Sequence, residues 1–177
     1  MSFQRALVLG GSRSGKSFFA ERLVTGCPAP WTYIASAQAY DLEMKDRIKT
    51  HKDRRGAGWR TVEEPKKIVE TLGSLPSGAC VLFDCASLWL TNHLLDESDL
   101  GAETDRLLTG LSSFDGTLVT VSNEVGSGIV PENALARRFA DAQGILNQRL
   151  ATDADLVVLV AAGLPLVLKG TLPGYMA

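Results

Sequence analysis

Short runs of apolar residues alternate with segments of helical periodicity along almost the whole chain. A run of about four to eight apolar residues bounded by turns is typical of a strand buried on both faces. Such runs lie at residues 6–9, 31–35, 80–83, 118–121, 156–160 and 165–168, with a more polar candidate at 60–63. Because strands that alternate with helices form a mostly parallel sheet covered on both faces, we expect a three-layer α/β fold.

Four segments between these runs have helical character. The longest begins at Pro131, since proline is favoured at the first position of a helix. Its apolar face consists of Leu135, Phe139, Ala142, Leu146 and Leu150. The others are expected at residues 16–24, at 42–53 with Asp41 as N-cap, and at 66–72. Residues 74–78 and 96–101 are predicted surface turns, and no linker divides the chain, so residues 1–177 are expected to form one domain.

Charge and composition narrow the class of protein. The 18 Lys and Arg residues are outnumbered by 20 Asp and Glu, and a net charge of -2 disfavours general nucleic-acid binding. The three cysteines cannot form an even set of disulfides and include no Cys-x-x-Cys pair, which favours a reducing compartment. Residues 156–168 are too few for a membrane helix of roughly 20 residues, and the N-terminus lacks the apolar stretch of a signal peptide. A cytoplasmic protein without a membrane span is expected.

The clearest motif is a phosphate-binding loop. Residues 10–17 read GGSRSGKS and fit the pattern G-x-x-x-x-G-K-[ST], with a predicted strand before them and a predicted helix after them. Such a loop points backbone N–H groups at phosphate oxygens, its lysine reaches the β- and γ-phosphates, and its serine binds magnesium. The candidate residues are Gly10, Gly11, Ser12, Arg13, Ser14, Gly15, Lys16 and Ser17. We therefore expect a P-loop NTPase-like domain that binds a nucleoside triphosphate.

Asp84 ends the apolar run at residues 80–83. In phosphate-loop enzymes an acid at the end of a neighbouring strand holds magnesium, directly or through water. The alternative is an ordinary turn or N-cap aspartate. Ser17 and Asp84 are thus the candidate magnesium ligands.

A basic segment with a histidine is the second candidate site. On the predicted helix 42–53, His51 shares a face with Met44 and Ile48 and borders a stripe of lysines. A solvated charged helix would show the same pattern. A neutral imidazole beside several cations is, however, also a suitable nucleophile for an attack on phosphorus, because the cations keep it neutral and stabilise a leaving pyrophosphate.

A glycine-bearing exit from the strand at 118–121 is a third candidate. Asn123 and Glu124 would lie at the carboxyl edge of the sheet, and the loop after them contains Gly126 and Gly128. A plain strand-to-helix connection explains the same residues. The other histidine, His93, is expected at a helix surface or at the edge of the core.

Taken together, these motifs resemble one family. The matching segments are residues 10–17, 33–37, 41–55, 59–63, 84–92, 122–132, 147–151 and 162–169, which span nearly the whole chain. The elements RIKTH at 47–51 and NEVGSGIVPE at 123–132 are more specific than the phosphate loop. The sequence resembles the bifunctional adenosylcobinamide kinases / adenosylcobinamide-phosphate guanylyltransferases of cobalamin biosynthesis.

The resemblance implies two reactions, a site and an assembly. ATP or GTP phosphorylates adenosylcobinamide, and GTP then guanylylates a histidine, from which GMP passes to adenosylcobinamide phosphate. The guanylylated histidine corresponds to His51, and Lys16 serves the kinase step. Besides the phosphate loop, the implied nucleotide contacts are Ala35, Ser36, Ala37, Lys52, Asp53, Arg54, Arg55, Glu63 and Asp84. The resemblance also implies magnesium as cofactor and a homotrimer.

Two other functions are compatible with the phosphate loop. A plain small-molecule kinase would transfer phosphate without covalent chemistry on the protein. A guanine-nucleotide switch would hydrolyse GTP slowly and control a partner. The absence of an N-K-x-D guanine-recognition element disfavours the switch, and the C-terminal apolar runs are expected to be core strands, not a partner surface.

Overall fold

A computed structural model describes residues 3–38 and 55–176 of the chain. These residues contain one sheet of seven strands, in the order β3-β2-β4-β5-β1-β6-β7. The strands are β1 (Arg5–Gly10), β2 (Trp31–Ala35), β3 (Trp59–Glu63), β4 (Cys80–Asp84), β5 (Thr117–Asn123), β6 (Leu156–Ala161) and β7 (Leu164–Lys169). The helices are α1 (Lys16–Thr25), α2 (Ile68–Gly73), α3 (Ala86–Leu95), α4 (Leu100–Ser113) and α5 (Ala134–Asp153), with a short 3-10 helix at Gly174–Met176.

The parallel strands end along one edge of the sheet, and their register brings the candidate residues into a row. Ala35 at the end of β2 pairs with Glu63 on one side and with Asp84 on the other. On the far side of β4, Gly10 of β1 pairs with Asn123 of β5. Ligands of parallel sheets bind at this carboxyl edge, so the topology alone assembles a site there.

Side-chain alternation divides the core into two layers. In β1, Ala6 and Val8 pack toward α1, whereas Leu7 and Leu9 pack toward the helices of the opposite face. The second layer receives Ile68 of α2 and buried residues of α3, α4 and α5. Helices therefore cover both faces of a mostly parallel sheet, which confirms the expected three-layer α/β fold.

The helices differ from the sequence prediction at several places. α3 was not predicted because most of its side chains are buried, so it lacks the polar face that gives a helix its period. The predicted turn at 96–101 is wrong at its end, since α4 begins at Leu100 with Asp99 as its N-cap. The helix expected from Pro131 begins instead at Ala134, where the Asn133 side chain accepts a hydrogen bond from the backbone of Ala136. The helix predicted at 42–53 lies outside the described residues.

The expectation of a core strand at 165–168 is wrong. β7 pairs antiparallel with β6 at the edge of the sheet, and all six of its residues are exposed. The apolar run there resembles that of a buried strand, but within residues 3–38 and 55–176 no helix covers it on either face. A partner surface at the C-terminal strands is therefore compatible with the fold. No helix within the two described ranges is long and apolar enough to span a membrane.

Candidate active site

The predicted phosphate loop connects β1 to α1 at the carboxyl edge of the sheet. Gly15 caps α1 in a left-handed conformation with φ of 94°, and no side chain caps the helix. The first turn of α1 thus presents its backbone N–H groups and the positive end of its dipole. Lys16 and Ser17 are the first two residues of this turn, half buried at the loop. Such a helix terminus favours an anion, which is the ligand that the motif predicts.

The loop is tight enough to require glycine at its first position. A Cβ atom on Gly10 would lie 2.4 Å from Ser14 Oγ and 2.6 Å from the carbonyl oxygen of Val160, distances that no side chain tolerates. The turn is closed by a hydrogen bond from the Ser14 backbone N–H to the Gly11 carbonyl oxygen, at 3.3 Å. Gly11, Ser12 and Arg13 are exposed beyond it.

The Lys16 side chain lies over its own loop. Its Nζ donates to the carbonyl oxygen of Gly11 at 3.0 Å. Burial lowers the pKa of the Lys16 ammonium, while the nearby Cys85 and Asp84 side chains raise it. The predicted magnesium acid and the loop lysine are therefore electrostatic neighbours.

Asp84 is anchored by a residue that none of the motifs assigns. The Tyr33 hydroxyl donates a hydrogen bond of 2.9 Å to Asp84 Oδ2. Burial raises the pKa of the Tyr33 phenol well above its ordinary value, and the Asp84 charge raises it further, so the hydroxyl stays protonated and donates. Strand alternation could have indicated this contact, because Tyr33 lies two residues before Ala35, which pairs with Asp84.

Arg55 approaches from the other side of Tyr33. Its guanidinium carbon lies 3.6 Å from the centre of the Tyr33 ring, a cation–π contact. Its Nη2 is 3.4 Å from Thr61 Oγ1, and its Nη1 is buried without a hydrogen-bond partner in the described part of the chain. A buried guanidinium N–H in this state favours an anionic ligand.

Ser36 holds the backbone of Cys85, the residue that follows Asp84. It is fully buried, and its Oγ donates to the Cys85 carbonyl oxygen at 2.7 Å and accepts from the Cys85 backbone N–H at 2.9 Å. The Ser36 carbonyl oxygen accepts a further bond from Asn92 Nδ2. The side chain predicted to bind nucleotide is thus engaged with backbone, while its neighbour Ala37 is half buried.

The remaining candidates divide into three groups. Glu63 lies at the carboxyl end of β3, where it pairs with Ala35 and is exposed. Glu124 turns its carboxylate onto the Gly126 backbone N–H at 2.9 Å, a local loop contact. His51, Lys52, Asp53 and Arg54 lie outside the described residues.

The buried cysteines and histidine do not belong to the site's reactive groups. All three cysteines are free and buried. Burial raises the pKa of the Cys85 thiol to about 12, so it is not a thiolate near neutral pH. His93 is a residue of α3, is only 5% exposed and packs on Trp89, so it lies against the core and not on the exposed surface of the helix.

A glycine-rich loop between β1 and α1, an adjacent lysine and an acid at the end of β4 define the P-loop class of nucleotide-binding proteins. Solved structures agree. A protein of Pyrococcus horikoshii OT3 superposes with a TM-score of 0.53 at 11% identity, covering 98% of this chain and 89% of that one. A prototypical ATPase of a bacterial type III secretion system gives 0.51 at 11% identity, covering 98% of this chain and 60% of that one.

Sequence comparison defines the family. The family model described as cobinamide kinase / cobinamide phosphate guanyltransferase matches residues 6–168. The bifunctional adenosylcobalamin biosynthesis protein CobP of Pseudomonas aeruginosa is 48% identical over 169 residues, covering 94% of this chain and 98% of the relative. The CobU protein of Salmonella typhimurium, which bears the same description, is 40% identical over 183 residues, covering 92% and 98%. The chain therefore belongs to the cobinamide kinase / cobinamide phosphate guanyltransferase family of enzymes.

Proposed function

We propose that this protein carries out two consecutive transfers within one domain, residues 1–177. In the first, ATP or GTP gives its γ-phosphoryl group to the aminopropanol hydroxyl of adenosylcobinamide. In the second, GMP passes from GTP through His51 to adenosylcobinamide phosphate, which gives adenosylcobinamide-GDP and pyrophosphate. The observation that carries the proposal is the pair of contacts that Tyr33 makes with Asp84 and Arg55, with Lys16 of the phosphate loop close enough for the Asp84 charge to raise its pKa.

Magnesium fits the oxygen atoms at this edge. Ser17 begins α1 at the loop, and Asp84 ends β4 with one carboxylate oxygen bonded to Tyr33. Hydroxyl and carboxylate oxygens are the ligands that magnesium prefers, together with substrate phosphates. Ser17 and Asp84 would hold the ion, whose charge, when it is bound, offsets that of the β- and γ-phosphates.

The kinase step needs positioning more than covalent chemistry. The uncapped first turn of α1 offers N–H groups to the phosphates, and Lys16 leaves the Gly11 carbonyl oxygen to contact the transferred group. The acceptor hydroxyl attacks the γ-phosphorus and gives up its proton to solvent, the bond from the γ-phosphorus to the β–γ bridging oxygen breaks, and the nucleoside diphosphate leaves. Lys16 stabilises the charge that develops on that oxygen.

The guanylyl step is a double displacement. A ring nitrogen of His51 attacks the α-phosphorus of GTP, the bond to the bridging oxygen breaks, and pyrophosphate leaves while the imidazole loses its other proton. A phosphate oxygen of the acceptor then displaces the imidazole. Arg55 has a buried N–H that finds no partner among the described residues, which supports a role for the segment 52–55 in holding the phosphates.

Labelling tests the covalent step. The protein is incubated with GTP labelled at the α-phosphate, in parallel with γ-labelled GTP, and denatured. We expect α-label that survives alkali and is lost in acid, as a phosphoramidate requires, no γ-label, and no label on His51→Ala. Gln148→Ala, an exposed change on α5, is the control and should label normally.

Two results would overturn the proposal. Tight GTP binding without protein-bound α-label would favour a plain kinase if adenosylcobinamide is still phosphorylated, and a nucleotide switch if it is not. Full labelling of His51→Ala would remove the nucleophile from this residue.

We also propose a homotrimer of cytoplasmic location without a nucleic-acid partner. The exposed apolar side chains of β7 support self-association, with Leu164 71%, Leu166 57% and Leu168 55% exposed on an edge strand. Free cysteines fit a reducing compartment, and the net charge of -2 fits small-molecule partners. Sedimentation equilibrium should give three chains, and Leu166→Lys should reduce the assembly; a wild-type mass of 19.0 kDa would contradict it.

A further inference from the structure

Tyr33 contacts both an acidic and a basic residue of the site, although it belongs to neither group. We propose that Tyr33 is a positioning residue, whose hydroxyl holds the Asp84 carboxylate and whose ring holds the Arg55 guanidinium. The proposal rests on the proposed function, because it takes Asp84 as the magnesium acid and Arg55 as a phosphate contact. Through Tyr33, the Asp84 carboxylate and the Arg55 guanidinium are held by one side chain.

The hydroxyl fixes the carboxylate. Tyr33 is 5% exposed, so its O–H needs a partner inside the protein, and Asp84 Oδ2 at 2.9 Å is that partner. A hydrogen bond to one oxygen restricts rotation about the Cβ–Cγ bond of Asp84 and thereby fixes the direction of the other carboxylate oxygen. Without the hydroxyl, Asp84 must be ordered by the ion itself, which weakens ion-dependent nucleotide binding.

The Tyr33 ring packs against the Arg55 guanidinium and supports it. Arg55 stacks 3.6 Å above the ring centre, and the hydrogen bond from its Nη2 to Thr61, at 3.4 Å, is long. The ring is therefore the principal support for Arg55 among the described residues. It presents an arginine whose Nη1 is buried and lacks a partner within the described ranges. Removal of the ring should weaken phosphate binding with or without magnesium.

The ring itself is held in place by aromatic neighbours. Trp59 meets the Tyr33 ring edge-on at a centroid distance of 6.2 Å, and Trp31 packs on Trp59 at 5.5 Å. The Trp31 indole N–H donates to the Cys27 carbonyl oxygen at 2.9 Å. A side chain fixed in this way transmits its position to both of its charged contacts.

The two contacts can be separated by substitution. Tyr33→Phe removes only the donor to Asp84, whereas Tyr33→Leu also removes the ring beneath Arg55. Tyr175→Phe is the matched control, since the Tyr175 hydroxyl donates a 2.8 Å bond to the Leu23 carbonyl oxygen near the far end of α1. The readout is the dissociation constant of GTP, measured by isothermal titration calorimetry in magnesium and in EDTA, together with the melting temperature.

Magnesium should lower the GTP dissociation constant by a factor that is about fivefold or more smaller in Tyr33→Phe than in the wild type. The dissociation constant in EDTA should be unchanged. Tyr33→Leu and Arg55→Met should each weaken binding in EDTA severalfold, and the double variant should be no weaker than Arg55→Met alone. Tyr175→Phe should match the wild type. These are effects on ligand binding that a loss of stability alone would not produce.

The outcomes distinguish the two proposals. Full magnesium strengthening in Tyr33→Phe would overturn the carboxylate role, and additive effects of Tyr33→Leu and Arg55→Met would overturn the guanidinium role. Normal GTP binding in the wild type without α-label on the protein would overturn the guanylyl transfer and leave this inference standing on its own results. A wild type that binds no GTP would overturn both.

Discussion

The carbonyl oxygen of Ser14 accepts a 2.8 Å hydrogen bond from the backbone N–H of Gly163. This bond joins the phosphate loop to the tight turn between β6 and β7, where Ala162 and Gly163 have φ of 52° and 80°. A Cβ atom on Gly15 would lie 3.3 Å from Gly163 Cα, so the turn also sits close against the loop. The loop is thus shaped by a strand pair that is distant from it in sequence.

Gly163→Ala should weaken nucleotide binding through this contact. The positive φ disfavours a side chain by about 1 kcal/mol, and relief of that strain moves the turn away from Ser14. Gly78→Ala is the matched control, because Gly78 also has a positive φ, of 75°, with open space around it, in a turn before β4. Both variants should lose similar stability in urea unfolding, and only Gly163→Ala should show a severalfold rise in the GTP dissociation constant. Equal GTP binding in the two would contradict the coupling.

Lys16→Ala should lower the kcat/KM of the kinase step about a hundredfold or more, because the charge that develops on the bridging oxygen loses the ammonium group that stabilises it. Lys169→Ala is the control, since Lys169 Nζ likewise donates to backbone carbonyl oxygens, those of Ala151 and Thr152. Steady-state kinetics with adenosylcobinamide as acceptor distinguish the two. Wild-type kinase rates in Lys16→Ala would overturn the assignment of the loop.

Ser36→Ala should destabilise the protein by about 2 kcal/mol, since it leaves the N–H of the buried Cys85 without its partner. It also removes one of the two hydrogen bonds that the Cys85 carbonyl oxygen accepts, the other coming from the Trp89 N–H. Ser113→Ala removes an exposed hydroxyl that donates to the Thr109 carbonyl oxygen, and should change stability by less than about 0.5 kcal/mol. Urea unfolding at pH 7 compares them. A Ser36→Ala variant as stable as Ser113→Ala would remove the bracing role.

His93 should make the protein less stable in mild acid. Burial lowers the pKa of its imidazole below the ordinary value of 6.5, and the Glu103 charge opposes that shift. The unfolded chain therefore binds the proton at a higher pH than the folded chain, and stability falls as the pH drops below about 6.5 toward the folded pKa. Lys66 and Arg106 also face the ring and disfavour its protonation.

The comparison of His93→Gln with the wild type isolates this effect. Urea unfolding at pH 7.5 and pH 5.5 should give a smaller loss of stability on acidification in the variant, because glutamine does not titrate. An identical pH dependence in both proteins would contradict the account. The wild-type ring packs on Trp89 at a centroid distance of 4.7 Å, so tryptophan fluorescence reports on the same pocket.

Local sequence patterns predict well which residues lie at the carboxyl ends of the strands. They predict poorly which parts of the sheet are covered by helices. The phosphate loop and Asp84 are predictable because each comes directly after a short apolar run that predicts a strand. β7 is misjudged because an apolar run does not reveal whether anything packs on it, and α3 is missed because a buried helix shows no polar face. These features depend on neighbours that are remote in sequence.

The residues of the candidate active site likewise divide into those that local motifs predict and those that only long-range contacts reveal. The motif predicts Lys16 and Ser17, whose roles depend on residues adjacent in the chain. Tyr33 is not predicted, because its role arises from two long-range contacts, to Asp84 and to Arg55, that only the strand register brings about. Ser36 appears in a matching segment, yet its hydroxyl serves the backbone of Cys85.

The most direct test of the central claim is a chase of the labelled protein. Protein carrying α-label from GTP is freed of nucleotide and mixed with unlabelled adenosylcobinamide phosphate in a single turnover. We predict that the label leaves the protein and appears in adenosylcobinamide-GDP, in an amount equal to that lost. Label that stays on the protein, or that appears only as free GMP, would contradict transfer through His51.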